Sequence, residues 1–192
     1  MNNYGISFFL RKSNNFTLMR SGLTNIPSWK RSYVFIDSQN VNLAIRDQGW
    51  ALDWEKLFKH LVKKYHAERA YLFIGYIPMN QVLYTNLQNF WYTLVFKPVL
   101  TLWSGKTKWN VDAELVLQAM IDFEKYEKAI LITGDGDFAC LVRHLREQWK
   151  LWLLIVPNQN KYSSFLRIEA KWYIDSLTNK RSKLEYVKKS TT

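Results

Sequence analysis

The sequence predicts an α/β fold with a mainly parallel central sheet, and three observations carry that prediction. Short apolar runs of strand length recur at 33–37, 70–76, 93–102, 129–132 and 151–156. Stretches with apolar residues at helical spacing separate them, which is the alternation that βαβ crossovers produce. The runs are close to continuously apolar, as strands covered on both faces require.

The first 32 residues contain no acid, carry Arg11, Lys12, Arg20, Lys30 and Arg31, and are rich in serine and asparagine. They read as a basic N-terminal extension ahead of the domain. Their composition resembles an organelle presequence, although the apolar piece at 6–10 is too short for a secretory signal core. The first strand, 33–37, ends in Asp37 and is followed by Ser38-Gln39-Asn40 and a short helix to about Arg46. Asp37 or Ser38 suits the cap of that helix, and Asn40 can orient Asp37, meet a phosphate or brace the turn. Beyond Gly49, Asp53 reads as the N-cap of a helix over 54–65, whose Leu57, Leu61 and Val62 share a stripe with Trp54.

The strand at 70–76 leads across Pro78 to a helix over 81–92 carrying Leu83, Leu87 and Phe90. Pro98 inside the run at 93–102 suits a sheet edge or a bulge. Next come two indoles, Trp103 and Trp109, interleaved with Lys106 and Lys108. Lysine neutralises phosphate and an indole stacks on an unpaired base, so these four are candidate RNA contacts; core packing of the tryptophans is the competing reading. Asn110 suits the cap of a helix over 111–125 that holds Asp112 in its first turn, where the helix dipole also favours an acid.

The run at 129–132 stops at Thr133-Gly134-Asp135-Gly136-Asp137-Phe138. Glycine allows a sharp turn and close approach of a ligand, and two carboxylates at a strand's carboxyl end can face a hard cation. Capping of the next helix by Asp135 explains the same residues. That helix, 138–149, points Leu141, Val142 and Leu145 at the sheet, with Cys140 read as core and Arg143, Arg146 and Lys150 as a solvated face. Pro157 ends the strand at 151–156. Ser163 precedes a short helix, where it either caps or helps to meet a phosphate. Residues 179–192 read as a basic C-terminal tail, leaving 33–178 as the domain.

Composition narrows the function. The 192 residues are 48% hydrophobic, enough for one domain with a sizeable core. A net charge of +11 and a pI near 9.7 favour a polyanionic partner, nucleic acid ahead of a membrane surface, since no basic amphipathic helix stands out. Cys140 is the only cysteine, so an intrachain disulfide is excluded and a reducing, cytoplasmic setting is expected. No apolar run reaches the roughly 20 residues of a membrane span. A homo-oligomer is compatible with the sequence.

Separately, Asp37, Asp112 and Asp135 are each explained by capping or by a helix dipole. Together they predict more. Asp37 and Asp135 end strands that are central neighbours in a doubly wound sheet, and Asp112 starts a helix that can reach the same rim. Clustered carboxylates raise each other's pKa unless a cation holds them ionised, and an oxygen-lined site suits Mg2+ or Mn2+. Two such ions about 3.5–4 Å apart can drive phosphodiester hydrolysis.

The motifs Phe35-Ile36-Asp37-Ser38-Gln39-Asn40-Val41, Lys108-Trp109-Asn110-Val111-Asp112 and Thr133-Gly134-Asp135-Gly136-Asp137-Phe138, followed by Leu141, Val142 and Leu145, resemble the NYN domain. More closely, the pattern is similar to the LabA-like branch of the PIN-like nucleases. The resemblance covers about 33–157 and extends through Ser163, Leu166 and Ile174. It implies a three-layer α/β/α Rossmann-like fold with a five-stranded sheet in the order 3-2-1-4-5. It also implies metal-dependent cleavage of RNA, with Asp37, Asp112, Asp135 and Asp137 at the metal and Asn40, Thr133 and Gln118 as supporting polar residues.

Gln118 departs from that pattern, because many LabA-like sequences carry an acid there; Glu114 and Asp122 are nearby in sequence and are not read as ligands. The first functional expectation is a Mg2+- or Mn2+-dependent ribonuclease acting on single-stranded RNA. The second is a non-catalytic RNA-binding or adaptor module with a degenerate metal site. An aspartyl-nucleophile phosphatase fits worse, because it needs an acid where Gln39 stands. His60, His66 and His144 lack metal-ligand spacing.

Overall fold

A computed structural model describes residues 31–98, 100–101, 107–108 and 110–188. Strand β1 (Ser32–Asp37) is buried along its whole length. Its side chains alternate between two layers: Val34 and Ile36 join one core, Tyr33 and Phe35 the other. Helix α1 (Ser38–Arg46) follows directly, with Asp37 as its N-cap. Helix α2 (Trp54–Tyr65) starts at Asp53, whose side chain accepts from Lys56 N at 3.0 Å, and it buries Leu57, Leu61 and Tyr65. Loss of that cap in Asp53→Ala is expected to cost about 1 kcal/mol in urea unfolding.

Strand β2 (Ala67–Tyr76), a 3-10 turn (Pro78–Asn80), α3 (Gln81–Asn89) and β3 (Tyr92–Pro98) complete the first half. A two-stranded antiparallel ribbon of β4 (Leu100–Thr101) and β5 (Thr107–Lys108) leads to α4 (Asp112–Ile121). The second half runs through β6 (Lys128–Ile132), a 3-10 turn (Gly136–Phe138), α5 (Ala139–Glu147) and β7 (Leu151–Val156). It ends with α6 (Ser164–Ala170), β8 (Ile174–Ser176) and α7 (Arg181–Leu184).

All pairings of the large sheet are parallel, and its order is β3-β2-β1-β6-β7-β8. Helices α1, α2 and α3 cover one face through Val41, Ile45, Leu57, Leu61 and Leu87; α4, α5 and α6 cover the other through Leu115, Leu141, Val142 and Leu166. The chain builds outward from β1 in one direction and from β6 in the other. A crevice therefore opens between the carboxyl ends of β1 and β6, where such sheets bind ligands.

Several expectations need correction. The sheet has six strands, because β8 extends the predicted order by one; three residues carry too little periodicity to be read as a strand. The run at 93–102 does not continue as one strand. It ends at Pro98 on the sheet edge, and the ribbon takes over. Cys140 is exposed instead of core. The buried stripe of α5 is Leu141, Val142 and Leu145, and the residue before Leu141 turns outward by the helical step. Within the stretch read as a tail, Leu184 is buried, Asp53 N donates to Leu184 O at 2.8 Å and Tyr186 N donates to Ala51 O at 2.8 Å. Among the described residues no helix is long and apolar enough to cross a membrane.

Candidate metal centre

Register brings the two strand ends level. Ile36 pairs with Ile132, so Asp37 and Thr133 leave the sheet side by side. Asp37 is 5% exposed, its Oδ1 accepts from Asn40 N at 3.1 Å, and Thr133 Oγ1 donates to its Oδ2 at 3.4 Å. On the β6 side, Asp135 N donates to Thr133 Oγ1 at 3.1 Å, Asp137 N donates to Asp135 Oδ1 at 3.1 Å, and Gly134 N donates to Asn40 Oδ1 at 2.8 Å. Asn40 and Thr133 thus lace the two loops across the crevice. Asp37 and Asp135 do cap their elements, and they converge as well.

Asp112 comes from the first turn of α4, where its N–H donates to Asn110 Oδ1 at 2.8 Å. Asp112, Asp135 and Asp137 each offer one oxygen within 4.8 Å of the others. Asp37 lies on the wall of the same cleft of about 280 Å³, with Gln39, Asn40, Leu43 and Asn110; among the described residues no lysine or arginine lines it.

Electrostatics follow from that geometry. Burial pushes the Asp37 carboxyl up to about 6; the Asn40 N–H opposes this, and Asp112 and Asp135 add to it. Asp112 is also raised, by burial first, and by Asp135, Asp137 and Glu114 against the pull of Asn110. None of the four acids forms an ion pair among the described residues, although Asp47, Glu114, Asp122, Glu169 and Asp175 all do. In a chain of net charge +11, the three convergent carboxylates of Asp112, Asp135 and Asp137, with Asp37 on the same wall and no ion pair to any of the four among the described residues, form an oxygen donor set that fits a hard divalent cation.

The loop that carries Asp135 and Asp137 also depends on α6. Ser163 N donates to Gly134 O at 3.1 Å, and Ser163 Oγ accepts from Phe165 N at 3.3 Å as the cap of α6. A Cβ on Gly136 would stand 2.4 Å from Ser163 Oγ. Gly136→Ala is therefore expected to destabilise the fold by about 1–2 kcal/mol in urea unfolding, with α6 displaced from the loop.

Gln118 is not brought to the carboxylates. Its amide donates to Asp122 Oδ2 at 2.8 Å, an atom that also accepts from the Tyr71 hydroxyl, while Lys125 Nζ holds Oδ1 at 2.7 Å. Six residues past Asp112, it lies about 9 Å further along the helix and on another side of it. Asp122 itself is 1% exposed and belongs to this separate network. Ser163 serves as a cap. Trp103, Lys106 and Trp109 lie outside the described residues, and Lys108 is placed only as part of β5. Gln39 and Leu43 on the cleft wall were not singled out from sequence; their one signal is position on α1 beside Asn40.

Comparison with known proteins agrees with this architecture. The family model described as the NYN domain matches residues 31–177. The chain is similar to "Low amplitude and bright protein LabA" of Synechococcus elongatus, at 26% identity over 165 residues, covering 81% of this chain and 88% of that protein. A crystal structure of a protein of unknown function from Vibrio parahaemolyticus superposes with a TM-score of 0.63 at 20% identity, covering 77% of this chain and 92% of that one, and shares the fold. With the family match spanning β1 through β8, this chain belongs to the NYN domain family.

Proposed function

We propose that the protein is a metal-dependent ribonuclease that hydrolyses phosphodiester bonds of single-stranded RNA at the cleft between β1 and β6. The observation that carries this reading is the convergence of Asp112, Asp135 and Asp137 within 4.8 Å, without a cationic partner among the described residues. Asp37, Asp112 and Asp135 would hold Mg2+ or Mn2+, with Asp137 as a further ligand or as the group that positions the attacking water. Such an ion supplies Lewis-acid stabilisation of charge developing on the phosphate and makes water a better nucleophile at neutral pH.

The chain's own residues do the positioning. Asp137 is the exposed member of the group, which supports a role for its carboxylate in accepting a hydrogen bond from the incoming water. Asn40 and Thr133 hold the two loops at fixed separation, which keeps the acids aligned without a ligand present. Water adds to phosphorus, the bond to the 3′ oxygen breaks, and the products carry a 5′-phosphate and a 3′-hydroxyl. The likeness to PIN-like nucleases supports this polarity.

A second reading is supported by Gln118, whose amide turns to Asp122 and leaves Asp112 as the ligand candidate from α4. In that reading the domain binds RNA and does not cut it. Incubating an unstructured RNA with the protein in Mn2+ and in chelator separates the two. Cleavage in Mn2+ that stops in chelator is expected; equal binding in both conditions with no cleavage would establish the non-catalytic module.

A further inference from the structure

At the other end of the sheet from the carboxylates, two indoles stand in the open. Trp149 follows α5 and is 78% exposed, and Trp172 follows α6 and is 75% exposed. They wall a cleft of about 270 Å³ together with Arg146, Glu147, Lys171 and Tyr173. Both helix ends use backbone that glycine normally supplies: Trp149 has φ +58°, and Lys171, just before Trp172, has φ 52° and ψ −120°. Other helices in this chain also end on non-glycine residues, so the conformation alone signals nothing. Two large indoles left in water around one cleft do.

Cations surround the pair. Lys171 Nζ lies 5.8 Å from the ring centre of Trp172, Arg146 donates to Glu169 O at 2.7 Å on the cleft wall, and Lys128 donates to Trp149 O. Glu147, the acid among the described lining residues, lies 3.8 Å from Arg146, and Glu169 next to the cleft is held by Arg143 and Arg146. Helix α6 joins this cleft to the metal centre along about 10 Å of axis. Its outer face carries Ile168 and, at its start, Phe165, which is 66% exposed. A Cβ on Gly136 would stand 3.6 Å from the Phe165 ring, so that ring borders the Asp135–Asp137 loop.

We propose that the outer face of α6, from the Trp149 and Trp172 cleft to Phe165, is the seat of an unpaired RNA strand. Bases stack on the three rings, and Lys171 meets a phosphate. Exposed aromatic faces interleaved with lysine and arginine match the chemistry of single-stranded nucleic acid, whose bases all offer a π-face. A base-paired helix hides those faces, so duplex is excluded from the seat. The proposal rests on the reading that RNA is the ligand, and it does not depend on cleavage.

The test is fluorescence anisotropy in chelator with a 5′-labelled unstructured RNA about 12 nucleotides long, a length within the range such surfaces cover. Trp149→Ala with Trp172→Ala is expected to weaken binding by at least about tenfold, whereas Trp149→Phe with Trp172→Phe stays within about threefold of wild type, because stacking survives. Both positions are exposed, so neither pair disturbs the core. Alanine variants that bind as tightly as wild type would overturn the proposal, as would a duplex that competes as well as the single strand. Concentration-dependent self-association removed by the alanine pair, with RNA affinity unchanged, would assign the face to protein contact and overturn it too. Binding through the indoles with no cleavage in Mn2+ would keep this site and remove only the nuclease; cleavage unaffected by the alanine pair, with unchanged affinity, would do the reverse.

Discussion

Asp135→Asn is expected to lower Mn2+-dependent cleavage of unstructured RNA by about 10²–10³-fold or more, with the fold retained. Asp135 belongs to the three-oxygen group, and its Oδ1 also accepts the Asp137 N–H at 3.1 Å. An asparagine oxygen accepts that same bond, so the turn keeps its shape and one negative charge is what disappears. A divalent ion held by a few carboxylates depends strongly on each of them. Initial rates across a Mn2+ titration check this. RNA binding in chelator stays near wild type, because the seat along α6 does not include Asp135. A variant that cuts RNA at the wild-type rate would remove Asp135 from the mechanism.

Asp37→Asn is expected to make the metal-free protein more stable at pH 7.5, by roughly 3 kcal/mol. Burial and two neighbouring acids raise the Asp37 carboxyl from 3.8 to about 6. A raised acid binds its proton more tightly in the folded chain than in the unfolded one. Its favourable contribution is therefore complete below about pH 4 and lost as pH rises through about 6, and two pH units correspond to roughly 3 kcal/mol. Asparagine carries no charge to bury, and its side-chain oxygen can still accept from Asn40 N. The sign reverses when Mn2+ is present: the ion stabilises the wild type by binding the folded state, and the variant loses most of that gain. Urea unfolding at pH 5 and pH 7.5, with chelator and with Mn2+, tests all four values. An Asp37→Asn protein less stable than wild type in chelator at pH 7.5 would show that Asp37 is held by interactions stronger than its burial cost.

The parts of this structure that were legible in the sequence are those where one physical rule acts locally. Asp53 before an amphipathic stretch and the apolar runs before Asp37 and Asp135 fall in that class, and they place the crevice correctly. The same residues also show where local rules stop. Asp37 and Asp135 obey the capping rule, so each alone looked explained; their convergence depends on β1 and β6 being neighbours, which is a property of topology.

Gln118 could be placed on α4 from sequence, but its partner Asp122 and the Tyr71 hydroxyl are brought together by packing of α4 on the sheet. Strand β8 is short and borrows its conformation from β7, so no periodicity announces it. Cys140 sits in an apolar run and still faces water, because the inward stripe of α5 begins one residue later. Trp149 and Trp172 were not distinguished among nine tryptophans, since an exposed indole and a buried one read alike in a chain this aromatic.

The central claim is that distant carboxylates close into one pocket that traps a divalent ion. Anomalous diffraction from a crystal soaked in Mn2+ tests it most directly. The expected result is a peak in the cleft between β1 and β6, within about 2.0–2.3 Å of oxygens from Asp37, Asp112 and Asp135, with Asp137 as a further ligand or facing the bound water. A well-occupied crystal with no peak there, or with those side chains turned to separate surfaces, would contradict it.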